Sequence, residues 1–301
     1  MDLLEKFSAV KVHADNRIAP NDKEYCKQHQ KAYEAAISGF QELGFFWQDM
    51  NRIQQELLGN PDSPLFHNYL FSREGPSVSQ TSIERHIETL HADFIANLVG
   101  YFNRTYSVSV DASEIVGTLL PKRPDRWRCD SMELAERYHE QMQSLIVRYQ
   151  DVMDQVILRL DGRSFVEQAF YELRGRCQSA AWNSYEQKAG YECKKDTIRF
   201  TGYFCRFRGW PFDSWELDDS MKDILRGVAH YETGVYNVFP MGFSCVTRYQ
   251  ELKTDVVEFP TCEKVRQMKL FKNNRVDIKF ASPEDAAQFV EQYLGPVCEV
   301  A

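Results

Sequence analysis

The chain has 301 residues, enough for one large domain or two ordinary ones, and its 43% hydrophobic and 13% aromatic content excludes a disordered polymer. A formal net charge of −8 and a pI near 5.5 oppose broad electrostatic attachment to nucleic acid, whose phosphates repel such a surface overall. No apolar run is long enough to cross a bilayer, and MDLLEKFSAVKVHADNR at the start has acids at Asp2 and Glu5 and no uninterrupted apolar core. Neither a membrane span nor a secretion signal is expected, which places the protein in the cytoplasm.

Residues 22–58 repeat apolar side chains at three- and four-residue steps, among them Phe40, Leu43, Trp47, Met50 and Leu57, and predict a long helix stopped by Gly59-Asn60-Pro61. The turn-rich segment 59–80 holds three of the 11 prolines and marks a boundary, with 1–80 an N-terminal helical region and 81–301 an α+β domain. Thr81-Ser82-Ile83-Glu84 reads as a capping box opening a helix to about Arg104. A short strand at Val108-Ser109-Val110 and a capped turn at Asp111 or Ser113 follow. Residues 131–160 predict one long amphipathic helix built on Leu134, Tyr138, Met142, Leu145, Tyr149 and Met153, broken by Asp161-Gly162. Ser164 with Glu167 then caps another helix running to about Cys177.

After Tyr191 the texture changes: KDTIRFTGYFCRFRGW alternates like a strand, Pro211-Phe212-Asp213 turns away from it, and 217–229 carries a short helical pattern. In EKVRQMKLFKNNRVDIKFASPEDAAQFVEQYLG (263–295), a three-residue loop Lys272-Asn273-Asn274 puts Met268, Leu270, Val276, Ile278 and Phe280 on one face. It also sets Lys269 opposite Asp277, with Asn274 in the left-handed conformation. Ser282 then caps a helix with Pro283 at its first position, stopped by Gly295. The class is α+β: helix-rich through the first two-thirds, then an antiparallel sheet containing the hairpin 264–280 and a closing helix at 283–294.

The specific signatures of chemistry are absent. There is no G-x-G-x-x-G and no G-x-x-x-x-G-K-[ST], and Gly242-Phe243-Ser244-Cys245 lacks the second glycine of a nucleophile elbow. His86 and His91 stand five residues apart, on different helix faces, so Glu88 and His91 read as a local pair. Glu251-Leu252-Lys253 with Asp255 and Glu258 echoes a metal nuclease, a coincidence expected in an acidic protein. The eight cysteines (26, 129, 177, 193, 205, 245, 262, 298) form no Cys-x-x-Cys pair and read as reduced, mostly buried thiols. No metal and no cofactor is expected.

Two basic, aromatic stretches remain: PKRPDRWRC (121–129), and the strand carrying Lys194, Lys195, Arg199, Arg206, Arg208 and Trp210. Arg and Trp serve both single-strand nucleic-acid grooves and protein hot spots, because they combine planar stacking with fixed donors. From Asp213 to Glu263 the balance reverses, with ten Asp/Glu against four Lys/Arg, a composition suited to the basic surface of a nucleic-acid-binding protein.

FKNNRVDIKF (271–280) resembles the signature F-K-N-G-N-x-H-[LI]-x-F that ends a family of uncharacterised proteins from phages and other mobile elements, and the helix from Ser282-Pro283 fits it too. IETLHADFIANLVGYFNRTYS (87–107) is similar to that family's helix with a Leu-His pair, so the resemblance spans roughly 80–295. Here Asn274 stands for the turn Gly and Asp277 for the His, and the methyltransferase domain joined to some members is missing. In size, acidity and lack of a catalytic signature the chain is also similar in kind to phage anti-defence proteins, including the Gabija anti-defence type. The resemblance implies a non-enzymatic protein of the host cytoplasm. It would bind a host complex, such as a DNA-processing defence nuclease, and block it sterically, as a homo-oligomer. Arg123, Arg126, Trp127, Arg208 and Trp210 are the expected contact residues. The alternative is a nucleic-acid-binding or processing accessory protein of a mobile element, using the same basic strand.

Overall fold

The computed structural model describes residues 18–63, 66–70, 79–124, 131–183, 187–247 and 252–295. Two compact units divide it: the first takes the chain up to Thr105 together with Val110–Gly162, the second Tyr106–Ser109 with the chain from Arg163 onward. The described residues of 59–80, where the sequence places a boundary, fall inside the first unit by this division.

The described part of the first unit is helical: α1 (Pro20–Leu58), most of α2 (Gln80–Tyr106), α3 (Ala112–Leu119), α4 (Ser131–Ser144) and α5 (Tyr149–Arg159). Its core gathers Ile37, Ile87, Ile95, Leu98, Phe102, Ile115 and Val156, all almost fully buried. The cap of α2 lies earlier than expected. Ser79 and Ser82 bond reciprocally, each hydroxyl accepting from the other's backbone N–H at 3.1 and 2.8 Å, and Glu84 instead accepts from Gln80. The expected strand at Val108-Ser109-Val110 does not form, because the Asn103 amide takes both the N–H and the C=O of Val110, at 3.0 and 2.9 Å. Asp111 caps α3 by accepting from the Ser113 N–H.

The single helix expected over 131–160 is two helices, α4 and α5, with 145–148 non-helical between them. Side chains from α1 supply the bonds that the break removes. Val147 N–H donates to Tyr33 Oη (3.1 Å), Gln30 Nε2 donates to Val147 O (2.9 Å), and Gln30 Oε1 accepts from Tyr149 N–H (2.7 Å). A backbone freed from helical pairing costs little when each group finds another partner.

The second unit packs α6 (Phe165–Ala181), α7 (Asp219–Thr233) and α9 (Pro283–Phe289, ending in a π turn Val290–Leu294) with a five-stranded antiparallel sheet. The sheet runs β3 (Tyr191–Lys194), β4 (Thr197–Phe200), β9 (Val276–Phe280), β8 (Val265–Leu270), β7 (Val256–Glu258). A ribbon of β5 (Cys205–Arg208) with β6 (Ser214–Leu217), a pair of two-residue strands β1 (Trp182–Asn183) and β2 (Lys188–Ala189), and a short α8 (Ser244–Thr247) complete it. Ser164 and Glu167 form the capping box of α6, as the spacing requires.

The hairpin is the one expected. Phe271 N–H donates to Arg275 O across a loop of Lys272, Asn273 and Asn274, and Asn274 has φ 66°. Met268, Leu270, Val276, Ile278 and Phe280 are buried, and Lys269 lies opposite Asp277. Ser282 caps α9, accepting from Asp285 N–H with Pro283 in the first turn.

The alternating run KDTIRFTGYFCRFRGW is not one strand: β4 and β5 belong to different sheets. Gly202, at φ 145°, ends the first, and Phe204 N–H leaves the β4 ladder to donate to Asn274 O at the hairpin tip (3.1 Å). Among the described residues no helix is long and apolar enough to cross a membrane.

Candidate partner-binding surface

The ribbon β5–β6 keeps the two-residue period that the sequence shows. Cys205 opposite Leu217 and Phe207 opposite Trp215 form its apolar face, while Arg206 opposite Glu216 and Arg208 opposite Ser214 form the other. The apolar face is fixed: the rings of Phe207 and Trp215 lie 5.0 Å apart, Lys272 Nζ sits 4.6 Å over Phe207, and Trp215 exchanges both backbone bonds with Leu252 at 2.7 and 2.9 Å.

The ribbon therefore holds its connecting turn in place. Phe212 N–H closes the turn onto Gly209 O (3.0 Å), the Trp210–Pro211 peptide is cis, and Lys253 Nζ donates to Phe212 O (3.2 Å). At this tip Trp210 is 89% exposed and Phe212 54%; at the other end of the ribbon Tyr203, just before β5, is 82% exposed. Large aromatic rings left in water on a fixed element are the usual mark of a contact surface.

The charges around them are mixed. Arg208 Nη2 meets Glu216 at 2.7 Å, and Glu216 also stands across from Arg206. Beside Tyr203 an open groove of about 710 Å³ is lined by Arg206 and Lys222 together with Glu216, Asp218 and Asp219. The Lys222 ammonium, 2.7 Å away, holds the Asp219 carboxyl below its ordinary range.

Of the expected contact residues, Arg208 and Trp210 come together on this ribbon. Arg123 is exposed in the irregular segment after α3, in the first unit; Arg126 and Trp127 lie outside the described residues. Tyr203 and Phe212 were not among the expected contact residues, although the turn expected at Pro211-Phe212-Asp213 is the signal that leaves its flanking rings in solvent.

The candidate chemistry resolves differently from the sequence. His91 does not pair with Glu88: it is fully buried between Tyr33 Oη (2.6 Å) and Met142 O (2.8 Å), and the nearest base to Glu88 is His139 at 3.1 Å. Burial pushes the His91 pKa down. Gly242 is required by close backbone approach, since at φ 101° a Cβ would come 2.5 Å from Glu258 O, and Ser244 merely opens α8. Of the nuclease echo, Glu251 lies outside the described residues. Among the described residues no three His, Cys, Asp or Glu gather as metal ligands. Six described cysteines are free thiols, and all but Cys193 are buried. No family model, curated protein or solved structure matches the chain, so the family resemblance rests on the residues quoted for it.

Proposed function

We propose that the chain is a non-enzymatic interaction protein that docks through the β5–β6 tip onto another protein and blocks it sterically. The observation that carries this reading is Trp210, 89% exposed with Phe212 at the turn of a ribbon whose other face is locked into the fold. Aromatic rings on a rigid element desolvate at little entropic cost and dominate binding energy. The mixed charge along the ribbon and the groove at its other end favours a protein over a phosphate backbone, because Glu216, Asp218 and Asp219 offset Arg206, Arg208 and Lys222. On the resemblance of FKNNRVDIKF to a mobile-element family, the protein works in the host cytoplasm, the partner is a host complex such as a defence nuclease, and copies of the chain add avidity.

The test is an affinity capture by the tagged full chain from a bacterial lysate carrying defence systems, with nuclease treatment, a salt wash, mass spectrometry and sizing. One stoichiometric host protein is expected, and Trp210→Ala should weaken its capture by about 30-fold, corresponding to a hot spot of roughly 2 kcal/mol, with unchanged circular dichroism. Equal capture by Trp210→Ala rejects the tip as the contact. Recovery of nucleic acid alone in an arm without nuclease, lost as salt rises, replaces this reading with that of a nucleic-acid accessory protein.

A further inference from the structure

The second unit also contains a smaller cavity, of about 260 Å³, between α6 and α7. Its charged lining is two arginines. Arg176 comes from α6 and Arg226 from α7, on the same face as the imidazole of His230 four residues on, and among the described residues that line it none is acidic. In a chain of net charge −8, two guanidinium groups facing one acid-free cavity form a local exception.

The cavity is built rather than incidental. Gly234 turns the chain at φ 69° after α7, so that 235–239 folds back over the helix. Tyr236 then packs on His230 with ring centroids 4.2 Å apart and planes tilted by 31°, and Asn237 Nδ2 donates to Ser107 Oγ at 2.8 Å. Leu173, Val238 and Phe239 supply an apolar wall. Arg226 spends one nitrogen on Asp223 and keeps the rest of its fork, Arg176 has no acid partner among the described residues, and Tyr293 Oη engages only Nδ1 of His230, at 2.7 Å.

We infer that this cavity binds a small oxyanion, a phosphate monoester or a carboxylate, carried on a short ring-shaped body. The guanidinium fork matches both oxyanions in geometry, and the wall of Tyr236, Leu173 and Phe239 receives the ring. The volume admits a molecule smaller than most cofactors. This site is independent of the aromatic tip and of the steric reading built on it.

The test titrates the full chain with phenyl phosphate, benzoate, inorganic phosphate and the neutral benzyl alcohol, followed by calorimetry and by amide chemical shifts. Saturable binding of phenyl phosphate or benzoate is expected, with shifts centred on residues 173–176 and 226–239, and the stronger of the two identifies the oxyanion. Arg176→Gln, an exposed position whose change leaves the fold intact, should weaken binding about tenfold or more, and Arg226→Gln likewise. Arg206→Gln on the ribbon should leave it unchanged. Binding of benzyl alcohol as tight as that of the anions, no saturation at tens of millimolar, or wild-type affinity in both arginine variants overturns the proposal. Inorganic phosphate binding as tightly as phenyl phosphate removes the ring from it.

Discussion

The donors and acceptors around Tyr33 admit one consistent arrangement. Met142 O only accepts, so His91 Nε2 carries its proton toward it; Nδ1 therefore accepts from the Tyr33 hydroxyl, whose oxygen accepts from Val147 N–H. A second proton on His91 would leave the Tyr33 hydroxyl without its acceptor, and burial opposes the charge as well. The sign for stability follows. The folded pKa of His91 lies below the ordinary value of about 6.5, as does that of His230, so the unfolded chain binds more protons. This contribution is complete above about pH 6.5 and is lost as pH falls through and below it. The urea midpoint should therefore be lower at pH 5.5 than at pH 7.5, with a smaller drop in His91→Gln, which is less stable at both. A midpoint that is flat or rises toward pH 5.5 would contradict the neutral His91.

At the scale of elements, α6 and α7 approach closely at one point. A Cβ on Gly227 would lie 2.5 Å from Cys177 Sγ and 3.4 Å from Tyr293 Cδ1, and the Cys177 thiol, pushed up to about 12 by burial, stays protonated in the contact. Gly227→Ala should cost about 1–3 kcal/mol by overpacking. Cys177→Ala in the same chain removes the atom it strikes, so a double-mutant cycle in urea should show favourable coupling of about 0.5 kcal/mol or more. Strict additivity would mean that the helices separate instead. The hairpin and the capping box of α6 were legible because each is decided within a few residues: Asn274 takes the left-handed position, and Ser164 reaches Glu167. The break between α4 and α5 was not, because Leu145, Tyr149 and Met153 keep a helical period while the bonds that reward the break come from Tyr33, 114 positions from Val147.

Across the whole molecule, the two compact units have separate cores, one around Phe102 and Val156 and one around Phe200, Ile278 and Phe280. Each should open as its own cooperative block. Phe280 is fully buried, and Phe280→Ala should cost the second unit about 3–5 kcal/mol. Native-state hydrogen exchange should then show β8, β9 and α7 losing protection while the amides of α5 keep theirs. Equal loss in α5 would show that the units fold as one.

The candidate surface divides in the same way between near and distant causes. Arg206, Arg208 and Trp210 drew notice as residue types in one run of sequence, and the two-residue period put both arginines on a single face. That Glu216 neutralises Arg208, that Leu252 and Lys272 lock the ribbon, and that Arg176 and Arg226 line one cavity depend on partners brought in from other elements. By itself the sequence determined the α+β class, the hairpin, the caps of α3, α6 and α9 and the acidity, because propensity, period and charge act over a few neighbouring residues. Only the tertiary structure decided where helices break, which charges are matched and which rings remain in water, because burial and pairing are settled by whichever distant segment arrives alongside.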